Sequence, residues 1–230
     1  MSDVSPAAAC HIRYTSDDVR YDPIRHVSWL PDGRDVPHVT RILEAVGVTM
    51  DFAALADRNG RLASVIELAG ARGTAVHADC HALDDDDLIC ATVDPRVWPY
   101  VEAWATCKAD KGLVPIAHAR ERHVFHSLHT YAGILDAICL RDGRRILVDL
   151  KTGDPAAAAA HLQTAAYELA WLAEHSDHPI DARWAIWLRP GRRVPYSIID
   201  YTAWPASWQH GQTFLACLTV FREQPVSRLR

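Results

Sequence analysis

The 230-residue sequence contains no apolar run of the roughly 18 to 20 residues needed to cross a bilayer, so no helical membrane span is expected. Its first residues, Met1-Ser2-Asp3-Val4-Ser5-Pro6, lack a basic stretch followed by an apolar one. A secretory leader is therefore not expected, and the chain reads as cytoplasmic. The six cysteines, Cys10, Cys80, Cys90, Cys107, Cys139 and Cys217, are scattered singly, with no C-x-x-C pair. That removes zinc ribbons and iron–sulfur clusters from consideration and leaves reduced thiols, mostly small core residues. An excess of positive charge is missing too. With 24 Lys and Arg against 29 Asp and Glu, the formal charge of -5 argues against a protein that coats nucleic acid. It leaves room for an enzyme with a locally basic groove around an acidic metal site. There are no internal repeats.

What is present, 49% hydrophobic and 23% charged residues, suits a globular chain with a sizeable core. Residues 1–60 read as an extended and helical segment packed on a core formed by residues 61–230, one compact domain in all.

Near the N-terminus, His11 to Tyr14 and His26 to Leu30 favour strands, and Pro31-Asp32-Gly33 supplies a turn. Val39, Ile42, Leu43 and Val46 follow helical spacing from about Pro37 and stop at Gly47. A longer helix is predicted over about Arg61 to Leu83, burying Leu62, Val65, Ile66, Leu68 and Ala69. The acidic run Asp84 to Asp87 reads as a solvated loop, because four adjacent carboxylates repel one another. Another helix is predicted from Pro95 to Asp110. The pattern then turns to strands: Arg122 to Leu128, Tyr131 to Leu140 and Arg144 to Lys151. The Asp142-Gly143 turn makes the last two a hairpin. Asp154-Pro155 is a helix-opening pair before an alanine-rich helix to Glu174. Two strands, Arg183 to Leu188 and Val194 to Ile199, and a helix from Pro205 to Phe221 complete the chain.

The chemistry concentrates in Gly133-Ile134-Leu135-Asp136, Asp149-Leu150-Lys151-Thr152-Gly153, Gln163 and Tyr167. Side chains alternate along a strand, so Asp149 and Lys151 share one face and Val148 and Leu150 the other. The hairpin sets the strand of Asp136 beside that of Asp149, where the two carboxylates can converge on a hard cation such as Mg²⁺ or Mn²⁺. Such an ion suits phosphodiester hydrolysis, with Lys151 orienting water and offsetting transition-state charge. Gln163 and Tyr167, four apart, lie on one helix face and are placed to grip a nucleic-acid strand.

The ordered set G-x-x-D, hairpin, D-x-K-T-G, helix with Q-x-x-x-Y resembles the RecB-type branch of the PD-(D/E)XK nucleases, over about residues 73 to 170. The resemblance implies an α/β core of order α-β-β-β-α-β, a central mixed sheet flanked by helices. It implies a histidine on the helix before the sheet, where Gly73-Thr74-Ala75-Val76-His77 fits and His77 is the match. It further implies a carboxylate on the first core strand, with Glu121 the natural candidate, and a metal shell completed by the backbone carbonyl of Leu150. Asp136, Asp149, Lys151 and Glu121 would then be catalytic, and His77, Asp136, Asp149 and Leu150 would hold the metal. Val36 to Leu43 resembles a leader segment of phage-encoded members. The implied activity is DNA exonuclease action with Mg²⁺ or Mn²⁺ in a bacterial cell or phage-infected host. The implied partners are DNA, a single-strand annealing protein and other copies of the chain. The third-strand acid is Asp149 where many relatives carry glutamate, and the cysteine cluster of the iron–sulfur subgroup is missing.

Three other readings stand beside this one. The same core serves structure-specific endonucleases. A noncatalytic nucleic-acid-binding module on the fold is a second, against which intact Asp136, Asp149 and Lys151 count. Third, His77, Cys80 and His81 lie within one helical turn and suggest a zinc-stabilised protein, though no H-E-x-x-H glutamate separates the histidines. The basic groups Lys108 and Lys111, Arg141, Arg144 and Arg145, and Arg189, Arg192 and Arg193 are candidate phosphate contacts. Trp29, Trp98 and Trp208 are candidate base-stacking residues.

Overall fold

Asp142 and Gly143 both take positive φ, 50° and 76°, the backbone of a two-residue turn whose twist matches that of the strands it joins. The hairpin it closes is the centre of the fold. The computed structural model describes residues 14–22, 27–49, 60–153, 159–203 and 205–224. In chain order the elements are β1 (Arg20–Asp22), β2 (Val27–Trp29), β3 (Asp35–Val36), α1 (Val39–Ala45), α2 (Gly60–Asp84), α3 (Trp98–Lys111), β4 (Val114–His126), β5 (Tyr131–Arg141), β6 (Arg144–Lys151), α4 (Ala160–Glu174), β7 (Ala182–Leu188), β8 (Tyr196–Asp200) and α5 (Ala206–Glu223).

The five longer strands form one mixed sheet in the order β4-β5-β6-β7-β8. Its pairs are antiparallel except β6 with β7, which run parallel and are joined across the sheet by α4. The chain is thus an α/β protein with helices on both faces. On one face α1, α4 and α5 pack through Ile42, Leu162, Tyr167 and Phe214 onto Val124, Leu135 and Leu147. On the other, α3 and the second half of α2 cover Ile146, Val148 and Ile186 with Val76, Cys80 and Trp104. Leu147 and Val148 thus serve opposite cores, as strand alternation requires. Among the described residues, no helix is long and apolar enough to cross a membrane.

Strands β1, β2 and β3 make a separate small antiparallel sheet. It is tied to the main one where the Ala132 N–H donates to the Pro37 carbonyl at 3.0 Å. Helix α1 follows at once and buries Val39, Ile42 and Leu43, the positions its spacing marks.

Several expectations are corrected. The first half of α2 does not bury its apolar residues: Val65 is 60% and Leu68 64% exposed, and Ala69 is exposed as well. Helix α2 reaches the sheet only further along, where Val76 and Cys80 are buried. The side chain of Leu62 lies outside the described residues, as do Cys10, His11 to Arg13, Pro23 to His26 and the Asp154-Pro155 opening of α4. The acidic run is only partly a solvated loop. Asp84 is 5% exposed and paired with Lys108, and both its oxygens accept from Trp104 Nε1 at 3.1 Å. Asp85 pairs with Arg120. Charges of opposite sign from α3 and β4 overcome the repulsion that the bare sequence suggests. Strand β4 begins at Val114, eight residues before its predicted start, and so contains Glu121.

Arg183, the second residue of β7, is 1% exposed. Its Nε lies 2.9 Å from Glu168 Oε2. Its remaining nitrogens donate to the His161 carbonyl, Thr164 Oγ1, the Tyr201 carbonyl and Ser207. One buried guanidinium thereby joins α4, β7 and the start of α5, and its many acceptors offset the cost of desolvating it.

Candidate metal centre

Strands β5 and β6 pair in register from Arg141↔Arg144 to Ala137↔Val148, and there the pairing ends. One step beyond, the Leu150 N–H donates to Asp136 Oδ2 at 2.6 Å. Both strands run on past this point without pairing to each other, and the two carboxylates of the hairpin, Asp136 and Asp149, come one step beyond the last pair. On the other side of β5, the pairs Arg120↔Ala137 and Arg122↔Leu135 flank Glu121, which faces Asp136. Glu121 has φ 43°, a left-handed backbone that a β-carbon disfavours. Around it the two-residue alternation breaks: Ala119 and Val124 serve the same core, and so do Leu135 and Ile138. The register shift between Pro115 and Arg120, just before Glu121, re-aims the side chains that follow, as bulges do.

His77 comes from α2, held against the sheet by its buried neighbours Val76 and Cys80. Its Nδ1 lies 3.4 Å from Asp136 Oδ1 and 3.9 Å from Glu121 Oε1. The three ligand atoms of His77, Glu121 and Asp136 all lie within 4.8 Å of one another. One imidazole nitrogen and two carboxylate oxygens form a donor set suited to Mg²⁺ or Mn²⁺. Asp136 draws the His77 imidazolium up to about 10, against the opposing pull of burial. For Asp136, burial resists ionisation, but His77, Lys151 and the Leu150 N–H outweigh it and hold the carboxyl below its usual range. Without a cation, His77 thus holds its proton as counter-charge to the acids, and a metal would displace that proton.

Asp149 stands outside this trio. It is buried, and Lys151 Nζ donates to its Oδ1 at 2.9 Å. Lys151 Nζ is also 2.8 Å from Oδ2, but off the direction of a hydrogen bond, so Oδ2 accepts none. Desolvation pushes the Asp149 carboxyl up to about 6, with Lys151 opposing and Asp136 adding to the shift. A buried carboxylate oxygen with an unused acceptor beside the trio fits a fourth ligand. Burial lowers the Lys151 ammonium, yet Asp149 and Asp136 more than compensate and leave it raised and charged.

From Lys151 a chain of contacts runs into α4. Nζ donates to Gln163 Oε1 at 3.0 Å, and Gln163 Nε2 donates to the Tyr167 hydroxyl at 2.9 Å. Burial keeps the Tyr167 phenol protonated, far above its ordinary range. The Tyr167 ring lies over Gly133, where a β-carbon would overlap it and press on Val39 Cγ2 at 3.3 Å. The glycine of G-x-x-D is thus a close-approach position, which its place in the motif leaves unexplained. The chain matches no family model and no curated protein.

The predicted residues therefore meet in two joined groups: His77, Glu121 and Asp136 in one, Asp149, Lys151, Gln163 and Tyr167 in the other. The observed contact of Leu150 is its N–H to Asp136, where the expectation concerned its carbonyl. The zinc alternative finds no convergence among the described residues. His81 turns to Asp85 at 3.3 Å, and Cys80 sits in the apolar core with its thiol raised by desolvation. Lys108 is paired with Asp84. Strands β6 and β7 are parallel with Lys151↔Trp187 in register. The exposed Arg192 and Arg193 that follow β7 therefore emerge from the same end of the sheet as Lys151. The Arg141, Arg144 and Arg145 turn lies at the opposite end.

A cleft of about 620 Å³ opens over His77 and Glu121. Tyr167 and Gly73 line it, as do Tyr21 and His38 from the N-terminal segment. Nothing in the spacing around Tyr21 singles it out as functional. Tyrosine on a short strand carries no signal until the strand is placed.

Proposed function

We propose that the chain is a metal-dependent nuclease of PD-(D/E)XK type, and a DNA exonuclease in the first instance. The observation that carries this reading is the meeting of His77, Glu121 and Asp136 beside a buried Asp149–Lys151 pair where the pairing of one hairpin ends. From α3 to β7 the order is helix, three strands, helix and strand, which agrees with it, while His77 comes from α2, one helix earlier.

His77, Glu121, Asp136 and the unused oxygen of Asp149 would hold Mg²⁺ or Mn²⁺, which when bound supplies Lewis-acid polarisation of a phosphodiester and of water. Lys151 is fixed between Asp149 and Gln163, so its ammonium cannot swing away. It holds positive charge next to the acids, where a phosphate approaching three carboxylates would otherwise be repelled. Gln163 offers its amide as the link between Lys151 and Tyr167, and the Tyr167 hydroxyl keeps its proton to donate to a phosphate oxygen in the cleft. Arg192 and Arg193 offer backbone contacts at the same sheet end. The substrate is DNA, and a single-strand annealing protein is the partner this reading suggests.

End-labelled linear and closed-circular DNA, single- and double-stranded, incubated with Mg²⁺, Mn²⁺ or EDTA, tests the reading. Metal-dependent loss of linear DNA alone, abolished in Lys151→Ala, is expected. Cleavage of circles would make the enzyme an endonuclease. No cleavage, or equal cleavage by the variant, would leave a noncatalytic binding module.

A further inference from the structure

The wall of the cleft opposite α2 is built by the N-terminal segment, and its construction is rigid. His38 is buried, and its Nε2 lies 2.8 Å from Ser28 Oγ. The neighbouring Pro37 carbonyl accepts from Ala132, at the start of the strand that carries Asp136. The His38 backbone also bridges to Ala132. On this fixed imidazole the Tyr21 ring is stacked, with centroids 4.8 Å apart and planes 24° from parallel. His123, two residues from Glu121, meets Tyr21 edge-on at 5.5 Å. Tyr21 is half-buried and lines the same cleft as His77, Glu121 and Tyr167. Across the cleft, α2 presents Gly73, Thr74 and Ala78, small side chains that leave room beside the acids.

We propose that Tyr21 is a base-stacking platform, so that the cleft seats one or two unpaired nucleotides with the phosphate toward the acid–histidine trio and a base on the tyrosine. The proposal rests on the nuclease reading for the phosphate end of the site and adds the substrate class, single-stranded nucleic acid. Three observations support it. An aromatic ring backed by a second ring is held from behind and loses little freedom when a base stacks on it. The cleft volume is of the order that holds a single drug-sized group, roughly 300 to 1,000 Å³, and is too small for a base-paired duplex. Stacking on an aromatic ring is tolerant of base identity, which suits an enzyme acting on many sequences.

The test is equilibrium binding of a fluorescein-labelled oligo-dT of twelve nucleotides to the full chain in EDTA, by anisotropy. A second series carries a single abasic site at successive positions. Tyr21→Ala is expected to weaken binding about ten-fold, the order that one stacked base contributes, while Tyr21→Phe binds as the parent does. One abasic position should cost the parent a similar factor and cost Tyr21→Ala nothing more. Equal binding by Tyr21→Ala, equal losses at every abasic position, or no binding of the oligonucleotide would overturn the platform. Circular dichroism of each variant separates lost stacking from lost fold. Binding is read without metal, so a chain that stacks DNA on Tyr21 but never cleaves would sink the nuclease reading alone. Metal-dependent cleavage with affinity unchanged in Tyr21→Ala would sink the platform alone.

Discussion

The Leu150 N–H and Asp136 Oδ2, 2.6 Å apart, connect two neighbouring strands by a side chain at the point where their backbone ladder has ended. The bond does two things at once. It satisfies a backbone donor next to the buried Asp149, and it leaves the other oxygen of Asp136, Oδ1, facing His77.

Asp136 therefore separates into an acceptor and a charge. Asp136→Asn keeps an oxygen for Leu150 and is expected to fold with a melting temperature within a few degrees of the parent, while DNA cleavage falls at least about a hundred-fold. Asp136→Ala also orphans the Leu150 N–H and should cost about 1 to 3 kcal/mol more in urea unfolding. Equal stability of the two variants would show that the hydrogen bond contributes nothing.

Gly133 exists for the Tyr167 ring. Gly133→Ala is expected to push the ring aside, lower stability by about 1 to 3 kcal/mol and cut activity about ten-fold by loosening Gln163 from Lys151. The double variant Gly133→Ala, Tyr167→Leu should recover most of the stability and none of the activity. Thermal melts and cleavage rates on the set decide it.

Glu121 sits at φ 43°, so its conformation is one that asparagine tolerates better. Glu121→Asn also removes one carboxylate from beside Asp136. The variant is expected to melt at or above the parent temperature in EDTA. Mn²⁺ at millimolar concentration should raise the parent melting temperature by several degrees and move Glu121→Asn far less. A parent melt insensitive to Mn²⁺ and Mg²⁺ would count against the metal centre.

His126 gives a pH dependence clear of the site. Burial, with His129 4.5 Å away, depresses it to about 4, below its ordinary 6.5. The neutral ring is the folded form, so its contribution is intact above about pH 6.5 and fades as pH falls from there toward 4. His126→Gln should flatten part of the stability loss between those values in pH-dependent melts. An unchanged slope would place the acid sensitivity elsewhere.

Much of this arrangement can be read from particular residues. Asp142-Gly143 between two apolar runs fixes the hairpin, and period two along Asp149 and Lys151 puts both on the face that meets Gln163 of α4. Helical spacing alone aligns Gln163 with Tyr167, and they do hydrogen-bond. The start of β4 is illegible because Pro115, His118 and the charged Arg120-Glu121-Arg122 mask any alternation, and the register shift between Pro115 and Arg120 breaks it outright. The exposure of Val65 and Leu68 runs against the rule that apolar residues at helical spacing face a core, because α2 extends beyond the sheet before it packs. Arg183 reads from the sequence as the start of a strand. Its burial depends on five acceptors from α4, the residue after β8 and α5, which no local pattern reports.

The three strands that carry Glu121, Asp136 and Asp149 are consecutive and antiparallel, so this acid-bearing sheet forms from contacts close in sequence, the kind that assemble fast. The cations that offset the acids arrive by different routes. Lys151 follows on the same hairpin, whereas His77 must be delivered by α2 from more than forty residues upstream. A nascent sheet therefore carries two of its carboxylates, Glu121 and Asp136, without their imidazolium. Ionic strength during refolding, which screens that repulsion, becomes a kinetic variable for a protein whose finished site is electrostatically balanced.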